Sequence, residues 1–193
     1  QRGFRDCTVL DYSQPLLDIG ARVAAQRRYP VQFVQGDARQ TELTSEAFDH
    51  VLILGNSLGY IPEPDADLRI LQESRRILKS RGWLLLDVSD GEAVSTKIAP
   101  HAWHEIGDDV VVCRQREVKD GLVCAREMVL SKGQGMIRDR TYCIRLYGAD
   151  DLAALVSRAG FADVQVHTDA SALNRVEDVG CMNHRLVVAA RKP

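Results

Sequence analysis

The sequence lacks long apolar runs, paired cysteines and a strong excess of either charge, and each absence narrows what the chain can be. No apolar run approaches the roughly 20 residues needed to span a bilayer, so we expect no transmembrane helix and no membrane partner. The formal net charge of −2 leaves no basic footprint for a nucleic-acid partner. With 193 residues, 45% of them hydrophobic, the chain is expected to form one globular, cytoplasmic domain.

The five cysteines are odd in number, widely spaced and free of any Cys-x-x-Cys pair. A disulfide framework or a zinc knot would bring them together in pairs. We therefore expect reduced thiols, as is usual for cytoplasmic proteins. The pair His101 and His104 has no obvious third ligand nearby, so the sequence predicts no metal site.

Strand and helix patterns alternate over the first half of the chain. Four short apolar runs predict buried parallel strands: residues 8–11, 31–35, 51–54 and 83–88. Amphipathic helices are predicted after the first and the third of them, which indicates an α/β fold with a doubly wound, mostly parallel sheet. Near the C-terminus, two strand patterns follow each other without a helix between them, so the last strand is expected to be antiparallel.

Helical periodicity disappears between residues 103 and 147. The dipeptide Asp120-Gly121 predicts a hairpin with a two-residue loop, across which Cys113 faces Met128 and no cysteine pair forms. This stretch predicts an antiparallel β layer inserted into the α/β pattern. We expect three parts: an α/β core at 1–100, the insertion at 101–147, and the rest of the core at 148–193.

Polar residues follow three of the predicted strands: Asp-Tyr-Ser at 11–13, Gly-Asp-Ala at 36–38 and Gly-Asn-Ser-Leu-Gly-Tyr at 55–60. The carboxyl ends of parallel strands form the ligand crevice of such a sheet. Asp11 would offer a carboxylate to a ribose diol, and Asp37 would offer one to an adenine amino group. Local explanations exist for both, since Asp11 could cap the following helix and Gly36-Asp37 could be an ordinary turn.

These three motifs, in this order and spacing, resemble class I S-adenosylmethionine-dependent methyltransferases. They are most similar to the small-molecule branch, whose fourth strand ends in Asn-Ser-Leu/Phe-Gly-Tyr. In that family a first strand and a Gly-rich loop precede the strand of Asp11, and no G-x-G-x-G element occurs here. We therefore expect the chain to be part of a longer protein. The resemblance implies a Rossmann-like methyltransferase fold, an inserted β lid over the substrate, and S-adenosyl-L-methionine as cofactor.

The resemblance also implies site residues. Cofactor contacts are expected at three strand ends: Asp11, Tyr12, Ser13, Leu16, Gly36, Asp37, Ala38, Asn56, Ser57 and Leu58. Substrate contacts are expected from four residues: Tyr60, Trp103, Arg145 and Tyr147. Arg145 could hold a substrate carboxylate or phosphate, or pair with Glu127 or Asp139 on a solvated sheet face. No general base is evident, and His104 and Tyr60 are the candidates.

The predicted activity is methyl transfer to a nitrogen or oxygen atom of a small molecule by in-line displacement. The lack of an evident base favours a nitrogen acceptor, because a neutral amine needs none. A nicotinamide-dependent oxidoreductase could also use Asp11, but no catalytic Tyr/Lys or His pair is found. A non-catalytic interaction module is the other alternative. A homodimer is compatible with the sequence.

Overall fold

Most strands in the first half of the chain are followed by a helix in the computed structural model, which describes Phe4 and residues 6–168 and 184–193. The elements of this half are β1 (Cys7–Asp11), α1 (Gln14–Arg27), β2 (Val31–Gln35), β3 (Phe48–Ile53), α2 (Ala66–Ile77), β4 (Leu78–Ser89) and α3 (Gly91–Lys97). The elements that follow are β5 (His101–Ile106), β6 (Val110–Lys119), β7 (Leu122–Ser131), β8 (Gly135–Arg145), α4 (Ala149–Arg158), β9 (Ala162–His167) and β10 (Arg185–Arg191).

Local sequence accounts for where α1 begins and ends. Pro15 lies in its first turn, where a missing backbone N–H costs nothing. The helix ends at Arg28, whose φ of 55° is left-handed and whose backbone N–H bonds to the carbonyls of Ala24 and Ala25. The Tyr29-Pro30 pair then excludes further helix and leads directly into β2.

The α/β part contains parallel and antiparallel pairs. β1 pairs with β2 in parallel, and a second sheet has the order β3-β4-β10-β9. There β3 is parallel to β4, whereas β10 runs antiparallel to both of its neighbours. The predicted α/β fold with an antiparallel last strand is confirmed. Residues 182 and 183, which the sequence also assigned to that strand, lie outside the described residues.

The main core fills the space between the four-stranded sheet and two helices. Leucines and valines at alternate positions of β4 and β10 face apolar residues of α2 and α4. The fully buried members include Leu71, Leu84, Leu86, Leu152, Val156, Leu186 and Val188. Burying each such side chain contributes about 1.5–3 kcal/mol, so this core fixes the strand ends from which the candidate site is built.

The predicted antiparallel layer forms a four-stranded sheet in the order β5-β6-β7-β8. Asp120 and Gly121 form the predicted hairpin loop and both have positive φ, 51° and 74°, as a tight hairpin turn requires. Cys113 faces Met128, also as predicted. The division of the chain into three parts stays a prediction. Within the described residues, no helix is both long and apolar enough to cross a membrane.

The expectation of reduced cysteines is wrong for Cys124 and Cys143, which form a disulfide between β7 and β8. If the strand pairing continued without a shift from the Ser131–Gly135 pair, Cys124 would lie opposite Tyr142. A register shift between Val129 and Leu130 moves the pairing by one residue and brings the two cysteines face to face. Cys7 and Cys113 are free thiols, and Cys181 lies outside the described residues.

Candidate functional site

The carboxyl ends of β1 and β2 carry the two predicted ligand-binding carboxylates. Asp11 is the last residue of β1 and lies opposite Gln35, so Asp37 follows at the same edge of the pair. The backbone N–H of Ser13 donates to Asp11 Oδ1 at 2.8 Å, which orients this carboxylate where α1 begins. A carboxylate accepts several hydrogen bonds. Asp11 can therefore stabilise the turn that leads into α1 and still accept hydrogen bonds from a ligand.

The residues that follow Asp11 are exposed. Tyr12 and Leu16 lie largely in solvent, and Gln35 donates from Nε2 to the Tyr12 carbonyl at 3.2 Å. The predicted cofactor residues Tyr12, Ser13 and Leu16 thus lie together at the start of α1. Their side chains leave this edge of the molecule open to a ligand.

Asp37 is held by Arg39, a residue that the sequence analysis did not single out. The Arg39 guanidinium donates to both carboxylate oxygens at 2.6–3.0 Å, and its backbone N–H donates at 2.8 Å. These bonds lower the pKa of Asp37 below its usual range. Arg39 also bridges to Glu63 at 3.2 Å, which joins the end of β2 to the segment after β3. The sequence signal for this ion pair was an arginine two residues after the carboxylate at the end of the strand.

Gly36 and Ala38 flank Asp37 and have structural contacts of their own. The Gly36 N–H donates to the Asp11 carbonyl at 3.1 Å, and a side chain at this position would press on Leu10. Ala38 packs against the main core. The Gly36–Ala38 turn is therefore fixed from both sides, which leaves its backbone and the Asp37 carboxylate as the groups able to meet a ligand.

At the end of β3, Asn56 joins two strands. Only 4% of the residue is exposed and its φ is 65°. Its backbone N–H donates to the Asp87 carbonyl at 3.1 Å, and its side-chain Oδ1 accepts from the Ser89 N–H at 2.6 Å. The Asn56 side-chain oxygen is thus engaged within the protein, and its side-chain amide N–H groups are what it could offer a ligand.

Ser57 and Leu58 also have roles within the fold. Ser57 Oγ donates to the Leu54 carbonyl at 2.7 Å, which tightens the turn after β3. Leu58 is a fully buried member of the main core. The Leu58 side chain therefore packs inward, and a ligand contact at this residue would involve its backbone.

The structure corrects the expected pairing of Arg145 with Glu127 or Asp139, and its contact with a substrate stays a prediction. Glu127 binds Arg114 and Arg138, and Asp139 binds Arg126, so neither carboxylate pairs with Arg145. Arg145 instead forms an ion pair with Asp67 of α2, which also accepts from the Tyr147 hydroxyl at 2.6 Å. Sequence spacing gave no signal for a partner 78 residues away.

The surroundings of Arg145 and Tyr147 hold both in their ordinary protonated forms. Burial, together with the hydrogen bond to Asp67, raises the pKa of the Tyr147 phenol. Burial lowers the pKa of Arg145, but its bonds to Asp67 outweigh this effect and raise it. The two predicted substrate residues therefore bind a protein carboxylate, and Tyr147 is a hydrogen-bond donor, not a base.

The aromatic candidates lie apart from each other. Tyr60 stacks on Tyr142 of β8, with ring centroids 6.2 Å apart. Trp103 lies on β5 in a row with Cys113 and Met128, on the face of the sheet opposite to Tyr142, and is 69% exposed. The structure places Tyr60 at the junction with the antiparallel sheet and does not bring Trp103 to it.

His104, a candidate general base, lies beside an arginine of β6. Its Nδ1 lies 3.3 Å from Nη1 of Arg114. Because a guanidinium only donates, His104 Nδ1 is the acceptor in this contact. A role of His104 as a base stays a prediction. Among the residues that the structure describes, no group of three or more His, Cys, Asp and Glu could hold a metal.

A partly buried ion pair beside Asn56 was not predicted from the sequence. Arg185 of β10 donates from Nε to Asp87 Oδ1 at 2.7 Å, and the Gly55 N–H donates to Asp87 Oδ2 at 3.3 Å. Asp87 ends an otherwise apolar run, Leu84 to Leu86. A carboxylate in such a strand was the signal, and its role is to fix the segment after β3.

Comparison with known proteins gives a domain match in the N-terminal part of the chain and a shared fold. Residues 1–82 match the model of a methyltransferase domain. A Bacillus subtilis (strain 168) protein named "Putative methyltransferase YqeM" is 23% identical over 173 residues, which cover 88% of this chain and 69% of that protein.

Solved structures agree with the family match. An S-adenosylmethionine-dependent methyltransferase from Clostridium acetobutylicum ATCC 824 has a TM-score of 0.76 at 16% identity, over 98% of this chain and 76% of that one. The sugar N-methyltransferase KedS8 from Streptoalloteichus sp ATCC 53650 has a TM-score of 0.62 at 22% identity, over 96% and 71%. At these identities the likeness shows the fold. Residues 1–82 thus match a methyltransferase domain, and the chain has the fold of S-adenosylmethionine-dependent methyltransferases.

Proposed function

We propose that this chain transfers a methyl group from S-adenosylmethionine to a nitrogen or oxygen atom of a small molecule. The observation that carries the proposal is the pair of carboxylates, Asp11 and Asp37, at the ends of two paired parallel strands. Both belong to the stretch that matches the methyltransferase domain. The near-neutral charge favours a small acceptor over nucleic acid.

The groups at these strand ends fit the adenosyl part of the cofactor. The Asp11 carboxylate is suited to accept from ribose hydroxyls, and the Asp37 carboxylate from an adenine amino group. Arg39 keeps Asp37 ionised, and therefore an acceptor. The backbone N–H of Ala38 is suited to an adenine ring nitrogen.

When bound, S-adenosylmethionine would supply an activated methyl group, to whose carbon the acceptor atom bonds in line as the carbon–sulfur bond breaks and S-adenosylhomocysteine leaves. The protein's contribution is then alignment, which can be worth up to about 7–11 kcal/mol. Asn56 and Asp87 fix the segment after β3, and Tyr60 stacks against the antiparallel sheet. These contacts would hold the walls of the transfer site in one geometry.

A nitrogen acceptor is favoured over oxygen. His104 Nδ1 is engaged by Arg114, and the Tyr147 hydroxyl donates to Asp67. These contacts occupy both groups within the protein, and a hydroxyl acceptor would need a base to take its proton, whereas a neutral amine attacks without one. KedS8, which shares the fold, is named a sugar N-methyltransferase. A homodimer and a cytoplasmic location stay predictions from the sequence.

The test is calorimetric titration of S-adenosylhomocysteine into the purified protein and two variants. Losing charge-assisted hydrogen bonds in Asp11→Ala should weaken binding about 10–100-fold. Asp18→Ala is the matched control, because Asp18 lies on α1 and bonds only to Gln14 among the described residues. No binding by the folded wild-type protein would reject the proposal, and equal binding by Asp11→Ala would reject the assigned site.

A further inference from the structure

A buried carboxylate outside the predicted site connects two parts of the molecule. Asp67, in the first turn of α2, is only 1% exposed. Its Oδ1 accepts from the Gly59 N–H at 3.0 Å, and its Oδ2 accepts from the Tyr147 hydroxyl at 2.6 Å and from Arg145 Nη1. The donors come from the segment after β3 and from the end of β8.

Stability alone is a weak reason for this arrangement. Removing a carboxylate and a guanidinium from water is costly, and apolar residues of similar volume often serve stability as well or better. Hydrogen bonds to a carboxylate are directional, so they fix the orientation of the groups that donate them. Apolar packing does not fix orientation in this way. The specific effect of Asp67 is therefore to fix the positions of the three groups that donate to it, the Gly59 N–H, Arg145 and the Tyr147 hydroxyl.

Arg145 extends the connection. Its Nη2 lies 3.4 Å from each of three consecutive carbonyl oxygens, those of Ile61, Pro62 and Glu63. Its backbone N–H donates to the Gly59 carbonyl at 2.9 Å. Gly59 has a φ of 95°, and a Cβ there would lie 2.7 Å from the Arg145 carbonyl oxygen. Backbone and side chain of Arg145 thus bind the same segment.

The segment held in this way also borders the proposed cofactor site. Asn56 begins it, tied to β4, and Glu63 ends it, tied through Arg39 to Asp37. A displacement of the antiparallel sheet would therefore be transmitted through Arg145 and Asp67 to residues next to the cofactor.

We infer that Asp67 is a positioning residue, which couples the antiparallel sheet to the 56–63 segment so that sheet docking and adenosyl-ligand binding depend on each other. This inference rests on the proposed function. By reciprocity, a ligand such as S-adenosylhomocysteine should hold the end of β8 in place, and an undocked sheet should weaken its binding.

The test compares Asp67→Asn with Glu127→Gln as a matched control. Glu127 is likewise buried, with 8% exposed, and it binds two arginines, but its bonds lie wholly within the antiparallel sheet. Each change leaves a partly buried arginine, Arg145 or Arg114, without its carboxylate partner, so both should lower the melting temperature. Only Asp67→Asn should weaken S-adenosylhomocysteine binding, by about tenfold at a temperature where all variants are folded.

Hydrogen exchange measures an effect of the ligand that general destabilisation would not change. The ligand should slow exchange of residues 142–147 in the wild type and in Glu127→Gln, and not in Asp67→Asn. Tyr147→Phe, which keeps the ring and removes one donor, should give a smaller loss of both effects, and it decides the question if Asp67→Asn does not fold.

Failure of the wild type to bind would reject the proposed function itself. Wild-type binding with unchanged affinity and unchanged protection in Asp67→Asn would overturn the inference alone. The same result in Tyr147→Phe would overturn it if Asp67→Asn is unfolded. Equal weakening by Asp67→Asn and Glu127→Gln would show a merely structural role and would also overturn it.

Discussion

At the scale of single residues, Glu73 links stability to pH. Its carboxylate, with a side chain 11% exposed, accepts from Arg76 and from the backbone and hydroxyl of Thr41. The bonds from Arg76, and then those from Thr41, lower the pKa of Glu73 from 4.5 to about 2. A lowered pKa in the folded state stabilises the protein above the ordinary pKa, and that contribution is lost as the pH falls from 4.5 towards 2.

Glu73→Gln should therefore lower the free energy of unfolding near neutral pH by on the order of 2 kcal/mol. The difference from the wild type should shrink steadily below about pH 5, as measured by urea denaturation at a series of pH values. Asp49→Asn is the control, because the Asp49–Lys79 ion pair is exposed and should contribute little. A Glu73→Gln difference that is constant with pH would contradict this account.

At the scale of elements, the disulfide between β7 and β8 closes a loop with a sequence separation of 19 residues. Cross-linking a loop of that length stabilises a fold by about 3 kcal/mol, mainly by restricting the unfolded chain. Cys124→Ser should therefore lower the free energy of unfolding in the absence of reductant and have little effect in its presence. Cys113→Ser, which changes a free thiol on the neighbouring β6, should not depend on reductant.

Intact mass and thiol titration of the unfolded protein check the premise directly. The purified protein should show at most three titratable thiols before reduction, since Cys124 and Cys143 are paired. Five titratable thiols without reductant would contradict the disulfide and show that all cysteines are reduced, as expected from the sequence.

Hydrophobic periodicity predicted most helices and strands, but it failed for elements whose sequence shows little periodicity. The β1 and β2 patterns gave nearly the observed bounds, because each apolar run ends sharply at Gly, Pro or a charged residue. In contrast, β4 begins at Leu78 and passes through the polar stretch Lys79–Arg81, which has no alternation to detect. The seven-residue α3 is too short to show a helical period.

The candidate site was predictable only in part, for a related reason. Asp11 and Asp37 follow strands, and strand ends can be located from the sequence alone. The partners of Arg145 and Cys124 depend on tertiary packing and on a one-residue register shift, and neither leaves a local pattern. Side chains expected at a ligand, such as Tyr147, proved to be bound within the protein.

At the scale of the whole molecule, the α/β part is divided. In the part of the chain that the structure describes, β1 pairs only with β2, and the other strands of this part form a separate sheet. The connection between them runs through residues 36–47. Thr41 bonds to Glu73, and the backbone N–H groups of Glu46 and Ala47 donate to the end of α2. The proposed cofactor contacts fall on both sides of this division.

Ligand binding should therefore join the two sides. Asp11 and Asp37 belong to the β1–α1–β2 side, and Asn56 belongs to the four-stranded sheet, so an adenosyl ligand that spans them adds contacts across the division. We expect amides of residues 7–35 to exchange hydrogen faster than those of β4 and β10 without ligand, because fewer buried contacts hold them. Saturating S-adenosylhomocysteine, at about 100 times its Kd, should stabilise the folded protein by about 2.7 kcal/mol.

The distribution of that protection is the decisive measurement. Exchange of residues 7–35 should slow far more than that of the β6–β7 hairpin, which has no proposed ligand contact. Asp11→Ala, at an equal ligand concentration, should lose this preference, and Asp18→Ala should keep it. If protection were uniform across the molecule, the ligand would be stabilising a body that is already rigid, and the division would have no consequence for binding. Preferential protection of residues 7–35 would instead mean that the cofactor completes the fold while it binds.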